Sequence, residues 1–394
     1  MNNRVLIYME EHYLKPIGGP AGYLYNLKNE LDRRKNKDIE FIKKNDKHAT
    51  VKKTVRKMPK FLYKLLLIFK RVAEISFLLS SRPKITDVNL DDYDMVHFHS
   101  TFRLFEAKDS LKNYKGKVLL TSHSPKPLFM ERMEDMATPL ERKIFKRKYL
   151  SLSSVDEYAF NRADYIIFPC PEAEEPYLNN WEKFSEIKEK NKDKFRYLLT
   201  GINECNVKVG KEEIRRTYKI PDDAFIISYA GRHNVTKGYD MLLKIGEKLL
   251  HEDHNIYFLI AGKEEPLKGI KNDRWIEVGW TNDPHSLIAA SDVFVLPNKE
   301  TYFDIVMLEV LSLGKIVVAS NTGGNKYFKK INAEGIFLYN TIDEAVSLLN
   351  RVMDMPHEEK NRLEQFNKRL FNEKFTGEIF CNNYIELLNE LKRD

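Results

Sequence analysis

Asp292-Val293-Phe294-Val295-Leu296-Pro297-Asn298 and Gly314-Lys315-Ile316-Val317-Val318-Ala319-Ser320 are two short apolar runs with β-branched residues at their centres. Between them the chain passes through a polar loop and then Ile305-Val306-Met307-Leu308-Glu309, which opens a helical segment ending near Gly314. Strand, loop, helix and strand in this order form a βαβ unit, and such units build parallel sheets. The same alternation extends outward in both directions. Strand-like runs lie at 4–9, 39–42, 94–98, 117–121, 164–168 and 196–199. A second set lies at 225–230, 255–261, 275–278, 292–296, 315–319 and 335–338. Two sets separated by helical segments predict an α/β chain of two doubly wound, Rossmann-like domains. A strand ends near Thr200-Gly201-Ile202-Asn203, so the expected domains are 1–203 and 204–375, with a last helix at about 376–394 packing back on the first.

The chain has 394 residues, 42% of them hydrophobic, enough for two cores. Its net charge of +7 is local: residues 43–84 hold thirteen Lys or Arg and two acids, which leaves the remainder net negative. That pattern speaks against a general nucleic-acid binder. Cys170, Cys205 and Cys381 lie far apart, with neither zinc nor disulfide spacing. No apolar run is long enough to span a bilayer. The first residues enter a strand-like run directly, so no leader is expected. The cytoplasm is the expected compartment.

In open α/β sheets ligands sit beyond the carboxyl ends of the strands. Gly18-Gly19-Pro20-Ala21-Gly22 follows the first strand, in a pattern that is not a dinucleotide fingerprint. Glycines there let a backbone approach a ligand, or simply connect strand to helix. His97 and His99 share a strand face, and Thr121-Ser122-His123 ends the next strand. No carboxylate or thiolate completes a metal set with them. His123 is the functional candidate of the three, and His97 the structural one. Tyr229-Ala230-Gly231-Arg232 ends the first strand of the second set, and Lys237-Gly238 precedes the next helix. Two cations at a helix N-terminus suit a diphosphate. Backbone N–H groups of Asp304, Ile305 and Val306 would serve the same anion, and Glu309 could accept hydrogen bonds from a ribose diol.

In order along nearly the whole chain, these residues resemble the retaining family-four glycosyltransferases of the glycosyl transferases group 1 type, which have the GT-B fold. The matching pieces are Gly18-Gly19, Asp94-Met95-Val96-His97-Phe98-His99, Thr121-Ser122-His123, Gly231-Arg232 with Lys237-Gly238, Ala290 to Asn298, Leu308-Glu309, and Gly314 to Ser320 with Gly323-Gly324. The resemblance implies two Rossmann-like domains facing a cleft, with the donor on the second. Arg232 and Lys237 would neutralise the diphosphate, Glu309 would hold the ribose, and Gly231, Thr301, Asp304, Ile305 and Val306 would complete the donor site. His123 and the Gly18-Gly19 loop would face the reacting sugar. Expected, then, is retaining hexosyl or N-acetylhexosaminyl transfer from a nucleotide diphosphate, UDP in the first instance, to a glycan or lipid-linked glycan in surface polysaccharide or glycoconjugate synthesis. No metal and no cofactor are expected. One departure stands out. The family pattern E-x(7)-E meets Thr301 at its first position, with Glu300 one residue earlier and Asp304 in place of a glycine. A catalytically silent partner of another transferase, or a nucleotide-sugar epimerase, would share this architecture.

Residues 58–79 carry Phe61, Leu62, Leu65, Leu66, Phe69, Val72, Ala73 and Phe77 at helical spacing, with Lys57, Lys60, Lys64 and Arg71 on another side. A basic amphipathic helix of this kind, taken as residues 52–71, is expected to lie on the inner face of an anionic membrane. The alternative is a helix packed on the first sheet with its basic side solvated.

Overall fold

A computed structural model describes residues 4–10, 13–16, 19–42, 60–80, 88–124, 126–136, 138–251 and 255–393. Gly18, Lys57 and the rest of 43–59 lie outside the described residues, as do the side chains of Lys60 and Lys64. Strands form within two residues of every expected run. β1 (Val5–Glu10), β2 (Ile39–Ile42), β3 (Met95–Phe98), β4 (Lys117–Leu120), β5 (Tyr165–Phe168) and β6 (Phe195–Tyr197) make one sheet. β7 (Phe225–Ala230), β8 (Ile256–Ala261), β9 (Trp275–Gly279), β10 (Val293–Leu296), β11 (Ile316–Ser320) and β12 (Ile336–Tyr339) make another. The orders are β2-β1-β3-β4-β5-β6 and β12-β11-β10-β7-β8-β9, and the pairings are parallel. All residues of β3 and of β10 are buried, as strands covered on both faces must be. Strand order reverses between β1 and β3 in the first sheet and between β7 and β10 in the second. In open α/β sheets ligands bind outside the strand ends at such a switch point.

The helices that matter below are α1 (Pro20–Arg33), α2 (Lys60–Ser80), α3 (Pro139–Leu150), α4 (Tyr239–His251), α5 (Pro284–Ala290), α6 (Ile305–Ser312) and α7 (Gly377–Arg393). α4 buries Leu242, Ile245 and Leu249 in a core with Phe258 and Trp275, whose rings stack 4.7 Å apart. α2 contributes Ile75 and Leu78 to a cluster with Phe105, Leu128, Tyr149, Leu152 and Val155. Arg71 is not on a solvated basic side. It turns inward and binds Glu141 at the start of α3 with both Nε (3.0 Å) and Nη2 (2.5 Å). Among the described residues no helix is long and apolar enough to cross a membrane.

Contacts divide the chain into two compact units. One holds the chain up to Lys15, Leu31–Phe168 and Tyr177–Tyr197, and the other holds Pro16–Glu30, Pro169–Pro176 and Leu198–Asp394. Thus part of the expected 1–203 segment groups with the second unit. For Pro16–Glu30 and the chain around Ile202 the cause lies in α7 and the residues just before it. Its Phe380 ring meets Tyr23 of α1 edge-on at 4.7 Å, and just before it Thr376 bridges to Ile202. The Asn203 N–H donates to Asn26 Oδ1 of α1 at 3.0 Å.

Candidate functional site

The loops after β7 and β10 flank the switch point of the second sheet, and they pack backbone to backbone. Gly238, with φ +64°, sits where a Cβ would collide with the Pro297 carbonyl oxygen. Only glycine takes both that conformation and that approach at low cost. The Lys299 N–H donates to the Thr236 carbonyl at 3.2 Å, and its ammonium pairs with Asp240 at 2.6 Å. Held this way, Lys237 places Nζ 2.5 Å from Asp304 Oδ1. Asp304 Oδ2 accepts from the Thr301 hydroxyl at 2.9 Å and from the Asn298 amide. Thr301 and Asn298 are buried, so the carboxylate is fixed from three sides. Behind Thr301, Gly323 (φ +44°) brings the loop after β11 against the Thr301 carbonyl oxygen. The Gly323 N–H donates to Glu175 Oε1 at 3.2 Å, and Lys326 pairs with the same carboxylate.

Asp304 occupies the N-cap position of α6, yet its side chain makes no cap hydrogen bond. The capping role is therefore not what the residue does. The Met307 N–H donates to the Asp304 carbonyl at 3.1 Å, which leaves the N–H groups of Ile305 and Val306 at the positive end of the helix without a cap from this side chain. Three protein donors, Lys237, Thr301 and Asn298, already hold the Asp304 carboxylate. Arg232 lies just past β7 and is exposed, with its carbonyl accepting from the Tyr229 hydroxyl at 2.9 Å. Its neighbour His233 is buried and stacks on Tyr239 at 3.9 Å. Burial lowers its pKa to about 4, so it is a neutral floor beneath the loop.

Glu309 does not join Lys237. Its Oε1 lies 3.6 Å from His285 Nε2 on α5. Cys205 and then Glu309 hold the His285 imidazolium against burial and raise its pKa to about 10. The loop carrying Cys205 is tied to the end of α6 by its N–H donating to Ser312 Oγ at 3.0 Å. Gly19, with φ +77°, precedes α1, and its carbonyl accepts the Tyr23 N–H at 3.1 Å. Glu300 is half-buried in the loop after β10.

The switch-point side of the first sheet has another character. His97, on β3, is fully buried and hydrogen-bonded to the Thr121 hydroxyl at 2.9 Å. His99 Nδ1 and His123 Nε2 share a hydrogen bond of 2.8 Å, in which one ring donates and the other accepts. The His97 and His99 rings lie 4.0 Å apart. Burial pushes His97 and His123 down to about 3 and His99 well below its usual value, so all three are neutral near pH 7. His123 adopts φ +56°, a left-handed conformation that costs energy in a residue other than glycine and is favoured at functional sites. Among the described residues no three His, Cys, Asp or Glu side chains converge as a metal-holding group.

Sequence reasoning missed Asn298, His285 and Cys205, and weighed His99 only within a three-histidine metal set that it did not favour. Asn298 had a readable signal, since it lies two residues past the end of β10. The other partners are distant in sequence and meet only through the fold.

Residues 210–370 match the model of the glycosyl transferases group 1 family. The O-antigen biosynthesis glycosyltransferase WclY of Escherichia coli is 22% identical over 328 residues, which are 77% of this chain and 88% of that protein. An uncharacterized glycosyltransferase of Methanocaldococcus jannaschii is 30% identical over 162 residues, 37% of this chain and 41% of that relative, so that match spans less than half of it. Among solved structures, HepE of Anabaena in complex with UDP-glucose aligns with a TM-score of 0.62 at 14% identity, covering 98% of this chain and 99% of that one. At that identity the likeness concerns the fold, two parallel six-stranded sheets flanked by helices. Residues 210–370 of the second unit thus match the glycosyl transferases group 1 model, and the chain as a whole has the GT-B fold of these structures.

Proposed function

We propose that the protein transfers a sugar, with retention, from a UDP-sugar to a glycan or lipid-linked glycan of a surface polysaccharide. The observation that carries this reading is the arrangement of Lys237, Asp304 and the uncapped start of α6. A diphosphate would lie on the first-turn N–H groups of α6 and accept from Arg232. Lys237 has three N–H donors and needs one for Asp304, so it can serve phosphate oxygens with the others. Glu309, backed by His285, is the proposed ribose acceptor. In the first unit His123 is the proposed sugar-facing imidazole, a neutral hydrogen-bonding group braced by His99. The complex of HepE with UDP-glucose supports the nucleotide, and the O-antigen role of WclY supports the acceptor class.

In the proposed reaction the bond from the anomeric carbon to the β-phosphate oxygen breaks, and the acceptor oxygen bonds to the same face. The acceptor proton goes to the departing phosphate. Fixed cations and helix N–H groups stabilise the charge that grows on that phosphate, where electrostatic catalysis is most effective. The test is to incubate the full chain with a panel of UDP-sugars and a lipid-linked saccharide, with and without EDTA. UDP release is followed, and the anomeric configuration of the product is read by NMR. Retained configuration with activity in EDTA is the expected result. An inverted product or strict dependence on added metal would overturn those parts. UDP binding without turnover would identify a silent relative, and an isomerised donor an epimerase.

A further inference from the structure

α2 buries Ile75 and Leu78 on one side and carries a second apolar stripe outward. Leu62, Leu66, Phe69, Ala73 and Phe77 recur at spacings of four, three, four and four, which is a single helical stripe, and all five are exposed. Phe69 is 63% and Phe77 69% exposed, values that a helix packed by its apolar face would not show. On the covered side, a buried clamp acts together with Ile75 and Leu78. Glu141, fully buried, accepts from Arg71 of α2, from the Tyr149 hydroxyl at 2.5 Å and from the Thr138 N–H at 3.2 Å. Burial alone would raise the Glu141 pKa, but these donors more than offset it and keep the carboxylate ionised. The clamp fixes α2 beside α3, and α3 is itself amphipathic in the same sense. Leu140 and Ile144, one turn apart, are 59% and 61% exposed, among the exposed cations Arg142, Lys143, Lys146 and Arg147. The one acid of α3 is the buried Glu141, and Glu74 of α2 pairs with Lys70 at 3.8 Å.

We propose that the exposed sides of α2 and α3 form an interfacial membrane-binding surface that docks on anionic lipid. Large apolar side chains beside the exposed cations Lys143, Lys146 and Arg147 suit a boundary where acyl chains lie beneath anionic headgroups. α2 has 21 residues and would lie along such a surface for about 31 Å. A second copy of the chain fits less well. A two-fold interface would bring the cations of α3 against the same patch on its partner. The proposal is independent of the donor chemistry and replaces the expected surface at 52–71 with one made by two helices.

The test uses the full chain and sedimentation with vesicles of phosphatidylcholine alone or mixed equally with phosphatidylglycerol. Wild type should bind the mixed vesicles, weakly the neutral ones, and be released by raised salt. Phe69→Ser with Phe77→Ser, and separately Lys143→Glu with Arg147→Glu, should each lower partitioning by about tenfold or more, in line with loss of buried apolar area and of basic residues near the headgroups. UDP affinity and melting temperature are measured on every variant. The charge-reversed pair keeps the test decisive if the serine pair proves unstable. Absence of wild-type binding to anionic vesicles would overturn the proposal. Wild-type-like partitioning by both folded variants would also overturn it, as would a concentration-dependent dimer abolished by Phe69→Ser with Phe77→Ser in a protein that ignores lipid.

Discussion

At the ends of β7 and β10 the polar groups are charged and paired, Lys237 with Asp304 and, farther along α6, His285 with Glu309. At the ends of β3 and β4 they are three imidazoles, all neutral and bound to one another or to Thr121. The same topological feature, a switch point in a parallel sheet, thus carries ion pairs in one unit and uncharged donor–acceptor groups in the other. Paired ions suit a ligand that brings its own charge, because it can share or displace the internal counter-ion. Neutral rings suit hydroxyl groups, where a full charge would add desolvation cost without a matching gain.

The sharpest way to break this comparison is Lys237→Ala. Each charged hydrogen bond lost should cost about 1.5–3 kcal/mol, or on the order of 10- to 100-fold in UDP affinity by calorimetry. His123→Asn should leave UDP affinity unchanged while lowering transfer. If both variants bind UDP like wild type, the second unit is not the diphosphate site. If His123→Asn loses affinity as strongly as Lys237→Ala, the division between charged and neutral sites fails. Next in size is Glu309→Gln, expected to weaken UDP by about tenfold through loss of a charge-assisted bond to the ribose. Equal affinity in wild type and variant would confine Glu309 to its pairing with His285.

Asp304→Asn should move affinity the other way. The carboxylate is the internal partner of Lys237, and neutralising it removes a negative charge beside the proposed diphosphate position. UDP affinity should rise by a few-fold, about 1 kcal/mol of relieved repulsion. Stability should fall by roughly 1–2 kcal/mol, because Lys237, Asn298 and Thr301 lose a charged acceptor. A drop in UDP affinity would instead place Asp304 in direct contact with the ligand.

How far these sites could be read before folding depends on what each pairing required. The strands were legible because apolar, β-branched runs such as Val293 to Leu296 are bounded by polar loops, and a parallel sheet needs such runs buried on both faces. Lys237 and Asp304 were each legible as strand-end or helix-start residues. Their pairing was not, since it depends on Gly238 meeting the Pro297 backbone across two loops. The His99–His123 bond follows from register: β3 and β4 align His97 with Leu119, which brings the two strand ends together. Periodicity found the apolar stripe of α2 but not the side that is covered. That is decided by Arg71 reaching Glu141, seventy residues away.

The smallest expected effect separates the two regions by the sign of their pH dependence. His97 and His123 titrate near 3 in the folded protein, below the ordinary histidine value of about 6.5. A group with a depressed folded pKa gives stability that is complete above its unfolded pKa, and this stability is lost as pH falls toward the folded value. The first unit should therefore weaken from about pH 6.5 downward. His285 titrates near 10, raised by Cys205 and Glu309. Its contribution is complete below about pH 6.5 and is lost as pH rises through 10. The second unit should weaken on the alkaline side. Melting temperature is measured across pH for wild type, His97→Gln and His285→Gln, each variant against its own value near pH 7 so that packing losses cancel. His97→Gln should flatten the acid limb and His285→Gln the alkaline limb, each by on the order of 2–4 °C. Exchange of the two limbs between the variants would mean that the charged and neutral states have been assigned to the wrong sheets. An unaltered alkaline limb in His285→Gln would mean that His285 is uncharged at neutral pH and that Glu309 has no cationic partner.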